Sequence, residues 1–179
     1  MAFECLRSEI IYRGRAFTIR RDEVRLPDGR TTNLDIVEHH GSVVIVPIDP
    51  EGNLIFVRQY RHAAGLSLLE LPAGVIEPGE SPLECAQREI REETGYAAGK
   101  LERVGQFYLA PGYSTEYMVV FMAENLHPDP LNADADEFLQ VERMSLTEAL
   151  DWAASGKMPD AKSLAALYLA SPRLKSIKR

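Results

Sequence analysis

The stretch Gly74 to Tyr96, GVIEPGESPLECAQREIREETGY, constrains this chain more than any other part of it. It crowds Glu80, Glu84, Glu89, Glu92 and Glu93 around one short helical pattern, with Arg88 as their partner. Such a cluster makes a poor surface, because the charges repel. It makes a good holder of divalent cations, which take hard oxygen ligands. Cations held on a rigid element can in turn grip a pyrophosphate.

The helix follows from local chemistry. Ser81-Pro82-Leu83-Glu84 reads as a capping box, with serine at the N-cap, proline at the first helical position and glutamate at the third. Gly95 supplies the left-handed stop. Leu83, Ala86 and Ile90 recur at helical spacing and predict an apolar stripe facing a core. Glu89 and Glu93 are four apart and Glu89 and Glu92 three apart, so all three share a side. Like charges at these spacings cost about 0.2–0.5 kcal/mol per pair in an isolated helix. Arg88, four before Glu92, offsets one pair; a bound cation would reverse the remainder. A solvated acidic face is the plain alternative for any such charge run.

The spacing resembles the signature of the Nudix hydrolases, G-x5-E-x7-R-E-U-x-E-E-x-G-U with U a bulky apolar residue. The matching positions are Gly74, Glu80, Arg88, Glu89, Ile90, Glu92, Glu93 and Gly95; Tyr96 stands where an aliphatic residue is more usual. The resemblance implies a hydrolase of a nucleoside diphosphate linked to another moiety. It also implies an α/β fold, an α/β/α sandwich with a mixed central sheet in which this segment forms a loop–helix–loop.

The rest of the chain is consistent with a compact protein. At 179 residues, 45% apolar and 26% charged, it can bury a sizeable core. A net charge of −7 argues against non-specific nucleic-acid binding. Two cysteines, Cys5 and Cys85, do not make a disulfide framework, so a reducing, cytoplasmic setting is expected. No apolar run approaches the ~20 residues that span a bilayer, and no membrane partner is expected.

Residues 1–40 read as a small antiparallel β-meander. Ile10, Tyr12, Phe17, Ile19, Val24 and Leu26 alternate with polar residues, Pro27-Asp28-Gly29 turns, and Leu34 to Val37 resumes a strand. Residues 41–179 form the main domain. Strands are expected at Val43 to Ile48, Leu54 to Tyr60, Leu68 to Leu71, Val104 to Leu109 and Tyr117 to Met122, with Asn125 to Glu137 a loop. A second capping box, Ser145 to Glu148, starts a helix that Gly156 stops. A last helix is expected over Ser163 to Ala170, closed by Ser171-Pro172, with Leu164, Leu167 and Tyr168 in the core.

Features outside the acidic segment resemble the ADP-ribose pyrophosphatases within that family. Pro111 lies sixteen residues beyond Gly95, and Arg58 to Arg61, Glu70 to Gly74 and Ala110 to Glu116 carry the likeness further. The meander does so too; in those enzymes it mediates a domain-swapped homodimer. A competing marker is Tyr113, close to the offset at which dinucleoside polyphosphate hydrolases carry a tyrosine. Other nucleotide sugars, and a non-catalytic ADP-ribose-sensing domain, are further alternatives; the intact set of box acids favours the enzyme.

Roles follow from charge and resemblance together. Mg²⁺ or Mn²⁺, two or three ions per site, would neutralise the pyrophosphate and orient a water. Glu89 and Glu93 share a helix face and are the expected ligands, with Glu92 joining or positioning a second ion. By resemblance the Ala73 carbonyl is a further ligand, and Gly74 lets the backbone come close. Arg88 is expected to orient Glu92 or a neighbouring acid. Related enzymes place a general base on a downstream loop, where Glu137 and then Asp136 are the candidates. Arg61 is the expected phosphate ligand, with Glu70, Glu116 and Pro111 nearby in the substrate site. Phe17 stands as an adenine-stacking candidate across a dimer interface, or as a plain core residue.

Overall fold

The computed structural model describes residues 2–132 and 138–177. In chain order the elements are β1 (Glu4–Arg13), β2 (Thr18–Arg25), β3 (Thr31–Glu38), β4 (Ser42–Pro47), β5 (Asn53–Arg61), β6 (Leu66–Glu70), β7 (Ala73–Val75), α1 (Pro82–Thr94), β8 (Tyr96–Tyr108), β9 (Tyr117–Pro128), β10 (Leu139–Ser145), α2 (Leu146–Ser155) and α3 (Ala161–Ile177). The chain forms two compact units. The first joins Met1–Gly41 to Phe107–Tyr117, and the second joins Ser42–Gln106 to Met118–Arg179.

In the first unit β1, β2 and β3 make the expected antiparallel meander. Its turn closes where Pro27-Asp28-Gly29 requires, with the Gly29 amide donating to the Leu26 carbonyl at 2.9 Å and Gly29 at φ 88°. Alternation in β1 does not mark a buried face, however: all ten residues are exposed, Ile10 and Tyr12 among them. Polar pairs stitch the sheet instead. Ser8 donates to Asp22 at 2.6 Å, and Arg20 bonds both Asp22 and Glu38. The β8–β9 connection joins this unit, as the Val37 amide donates to the Tyr113 carbonyl and the Thr115 amide to the Val37 carbonyl.

The second unit is an α/β fold with a mixed sheet. Its four-stranded sheet runs β7-β4-β9-β8, with β4 parallel to β9 and antiparallel to β7. A three-stranded sheet, β10-β5-β6, accompanies it. The apolar run predicted as a buried strand is β4, whose residues are all buried; α1 and α3 both pack on it. A strand covered by helices must be apolar on both faces, which is why it does not alternate. Strands β8 and β9 run longer than periodicity indicated, and β9 takes in Asn125 to Pro128, part of the expected loop.

Helix α1 begins and ends as predicted. Both halves of the Ser81–Glu84 capping box form, and Gly95 sits at φ 78°. Its buried face differs from the predicted stripe. Cys85, Ala86, Glu89, Ile90, Glu93 and Thr94 are buried, while Leu83 is 44% exposed. At 100° per residue Ala86, Glu89, Ile90 and Glu93 lie together in the buried arc; Leu83 falls in the same arc but in the first turn, at the end of the helix. The acids thus lie on the packed face. Helix α2 is capped by Ser145 and Gly156 as expected.

Helix α3 starts two residues before Ser163 and runs through Pro172 instead of ending there. Proline cannot donate to the carbonyl four residues back, Tyr168. The Ser171 hydroxyl donates to that carbonyl instead, at 2.8 Å, so the helix continues. Leu167 is buried, but Tyr168 is 79% exposed, contrary to its expected core position. Among the described residues no helix is long and apolar enough to cross a membrane.

Candidate active site

Arg88 organises the acidic helix. Its Nε and Nη2 each lie 2.9 Å from a Glu80 oxygen, its Nη1 donates to Glu89 Oε1 at 2.6 Å and to Glu92 Oε2 at 2.9 Å, and its Nη2 reaches the Val75 carbonyl at 3.1 Å. One guanidinium therefore serves three carboxylates, more than the single pair its spacing from Glu92 suggests. Five donors in a planar fork make this possible. Glu80, foremost through its bonds from Arg88, is held below the usual carboxylate range, and Arg88 is held firmly charged by Glu80 first and by Glu89 and Glu92.

Glu89 and Glu93 also lie against the backbone of β7. The Ala73 amide donates to Glu93 Oε2 at 3.0 Å. A Cβ on Gly74 would lie 1.8 Å from Glu89 Oε1, so only glycine admits this carboxylate against the strand. The Ala73–Gly74 backbone is pinned further upstream: the Ile45 amide donates to the Pro72 carbonyl at 2.8 Å and the Leu71 amide to Ser163 Oγ at 2.7 Å.

These oxygens suit a hard divalent cation. The Gly74 cradle keeps the Glu89 carboxylate beside Ala73, and Glu89 and Glu93 are both nearly buried. Buried anions in excess of their cations need a positive partner. Among the described residues no three acidic, histidine or cysteine side chains already converge on one point; Arg88 sits between Glu89 and Glu92. Cys85 contributes no nucleophile, because burial first and Glu89 and Glu80 next push its thiol far up.

Arg61, the last residue of β5, reaches Glu70, the last residue of β6. Arg61 Nε donates to Glu70 Oε1 at 2.9 Å and Nη2 to Oε2 at 2.7 Å. Glu70, expected in the substrate site, has its carboxylate buried at 1% exposure and held by Arg61 and Lys162. Burial pushes Glu70 up, yet the two cations outweigh it and hold the carboxyl below its ordinary value. Arg61 is held charged by Glu70 first, and it also senses Glu93.

The other sequence candidates sit in the first unit or beyond the described residues. Pro111 is exposed in a turn in which Tyr113 and Ser114 amides donate to the Ala110 carbonyl. The Glu116 amide donates to Ser114 Oγ at 3.1 Å. Phe17 is not core: it is 41% exposed and lines a cavity of about 390 Å³ with Arg13, Arg15, His39, His40 and Thr115. Glu137 and Asp136 lie outside the described residues. Lys162 and Asp160 escaped the sequence reading. Asp160-Ala161-Lys162-Ser163 carries a usable signal, an N-cap aspartate that accepts from the Ser163 amide at 3.1 Å.

Comparison with known proteins agrees with this geometry. The NUDIX domain profile matches residues 38–167, and that of the nucleoside diphosphate sugar hydrolase N-terminal domain matches residues 3–33. An ADP-ribose pyrophosphatase of Bacillus subtilis (strain 168) is 37% identical over 161 residues, covering 89% of this chain and 87% of that protein. An ADP-ribose pyrophosphatase of Mycobacterium tuberculosis is 41% identical over 139 residues, covering 75% and 67%. The crystal structure of an ADP compounds hydrolase superposes with a TM-score of 0.87 at 29% identity, over 98% of this chain and 96% of the other. With its acidic helix, its glycine cradle and a domain match spanning most of its length, the chain belongs to the Nudix family of hydrolases.

Proposed function

We propose that this enzyme hydrolyses the pyrophosphate of ADP-ribose, giving AMP and ribose 5-phosphate. The observation that carries the reaction class is the seating of Glu89 and Glu93 on the Ala73–Gly74 backbone. Likeness to ADP-ribose pyrophosphatases over most of the chain supports the substrate. Nudix hydrolases use divalent metals; Mg²⁺, or Mn²⁺ in its place, at two or three ions per site, is the reading here. Glu89, Glu93 and the Ala73 carbonyl would hold it, with Glu92 at a second ion. Bound there, it supplies charge neutralisation of the phosphates and an acidified water.

The protein's own groups do the rest. Arg88 keeps Glu80, Glu89 and Glu92 in register between loop and helix. Arg61 takes a phosphate oxygen, and Glu70 acts through Arg61. Glu137, then Asp136, accepts the proton of the attacking water. Glu116 and Pro111 shape the nucleoside side, and Phe17 stacks on adenine; its exposure in a polar-walled cavity supports that role.

Residues 1–40 serve a homodimer with swapped N-terminal strands and 41–179 the hydrolase. A ten-residue β1 exposed throughout, with Leu6, Ile10, Ile11 and Tyr12 uncovered, and Phe3 just before it, supports a partner copy there. Free thiols at Cys5 and Cys85 support a cytoplasmic setting. The test is kcat/KM for ADP-ribose against diadenosine tetraphosphate under one metal condition, with product analysis. ADP-ribose should win, yielding AMP; a preference of about tenfold or more for the tetraphosphate makes Tyr113 the better marker and overturns the substrate assignment.

A further inference from the structure

We propose that Lys162 is a positioning residue for phosphate recognition: through Glu70 it fixes the orientation of the Arg61 guanidinium. The inference rests on the reading of Arg61 as a phosphate ligand.

Lys162 is placed where a lysine is costly. It lies in the first turn of α3, where the helix dipole disfavours a cation, and it is buried, where desolvation disfavours one again. Asp160 offsets part of this, 3.1 Å from Nζ. Fold stability does not account for such an arrangement, because buried ion pairs are commonly matched or bettered by apolar residues of similar size. Something else must use the charge.

Glu70 shows what that is. Arg61 and Glu70 by themselves form a single pair, and a carboxylate held from one side only can turn and carry the arginine with it. Lys162 Nζ donates to Glu70 Oε2, the same oxygen that receives Arg61 Nη2. Two cations then share one carboxylate and hold it from both sides. Asp160 holds the lysine in turn: its Oδ2, 3.1 Å from Lys162 Nζ, also accepts from the Ser163 amide and hydroxyl.

Held on both sides, the Glu70 carboxylate cannot rotate, so the Arg61 fork meets it through Nε and Nη2 in one orientation. Arg61 Nη1 then has no hydrogen bond among the described residues and remains for a ligand oxygen. Its side chain is 40% exposed, so the guanidinium is open to a ligand.

Steady-state kinetics with ADP-ribose test the inference, with folding followed by circular dichroism. Lys162→Met should raise KM about tenfold and change kcat less than about threefold; Lys162→Arg should bring KM back within about threefold of the wild type. The double variant Glu70→Gln/Lys162→Met removes the unpaired buried acid, and its KM should stay high. A folded Lys162→Met with wild-type KM overturns the proposal, as does a double variant that regains wild-type KM. If Lys162→Met does not fold, the double variant decides. Arg61→Ala separates the two readings: if it leaves KM unchanged, the phosphate-ligand assignment and this inference both fall. If it raises KM while Lys162→Met does not, only the role of Lys162 falls.

Discussion

The acidic face of α1 and the first turn of α3 both bury carboxylates, yet they balance their charge differently. Around α1, Glu80, Glu89 and Glu92 share Arg88, one cation to three carboxylates. Around α3, Arg61 and Lys162 meet Glu70 and Asp160, two charges of each sign. An unbalanced cluster held on a rigid backbone draws a cation from outside; a balanced one sets its own geometry. On the proposed reading, the first arrangement binds and the second aims.

The hardest test of the unbalanced side is Glu93→Gln. Removing one ligand charge where cations stabilise the transition state should cut kcat by about 10²–10³-fold. The amide oxygen still accepts from Ala73, so thermal stability without metal should stay near that of the wild type. Near-normal turnover of a folded variant at saturating Mg²⁺ ends the metal assignment.

Arg88→Met breaks the balance further. It strands three carboxylates that keep 11–23% exposure, so the loss in metal-free buffer should be about 2–3 kcal/mol, below the figure for full burial. Added Mg²⁺ should recover part of the urea midpoint, because a cation returns to the same acids. If the midpoint is indifferent to Mg²⁺, the surplus charge is solvated.

Acid sharpens the comparison with a smaller effect. Glu80 and Glu70 both have folded values lowered from 4.5, so the stability they contribute is present above that pH and is lost as pH falls below it. Glu80→Gln should cost about 1 kcal/mol at pH 7 and flatten the decline below pH ~4.5. An unchanged acid limb in chemical denaturation series would contradict it. The smallest change is on α3 itself: Ser171→Ala should cost about 0.5 kcal/mol or less by thermal melting, since water can replace the hydroxyl at the exposed Tyr168 carbonyl. A loss of several kcal/mol would show that Ser171 alone carries the helix past Pro172.

Capping and periodicity act over a few residues, so the sequence alone determined both ends of α1 and α2, the meander turn, the buried strand β4 and the row of acids that marks the family. Even Gly74 was legible as a close approach, although not the carboxylate that approaches it. What only the tertiary structure decided is which charge meets which. Glu70 and Lys162 are 92 residues apart, and Arg88 reaches back to the Val75 carbonyl and Glu80 as well as along its own helix. The exposure of Leu83, Tyr168 and β1 belongs to the same class, since a local pattern says that a face is apolar but not what covers it. Long-range pairing depends on how strands and helices are brought together, and a charged side chain has no period that announces its partner.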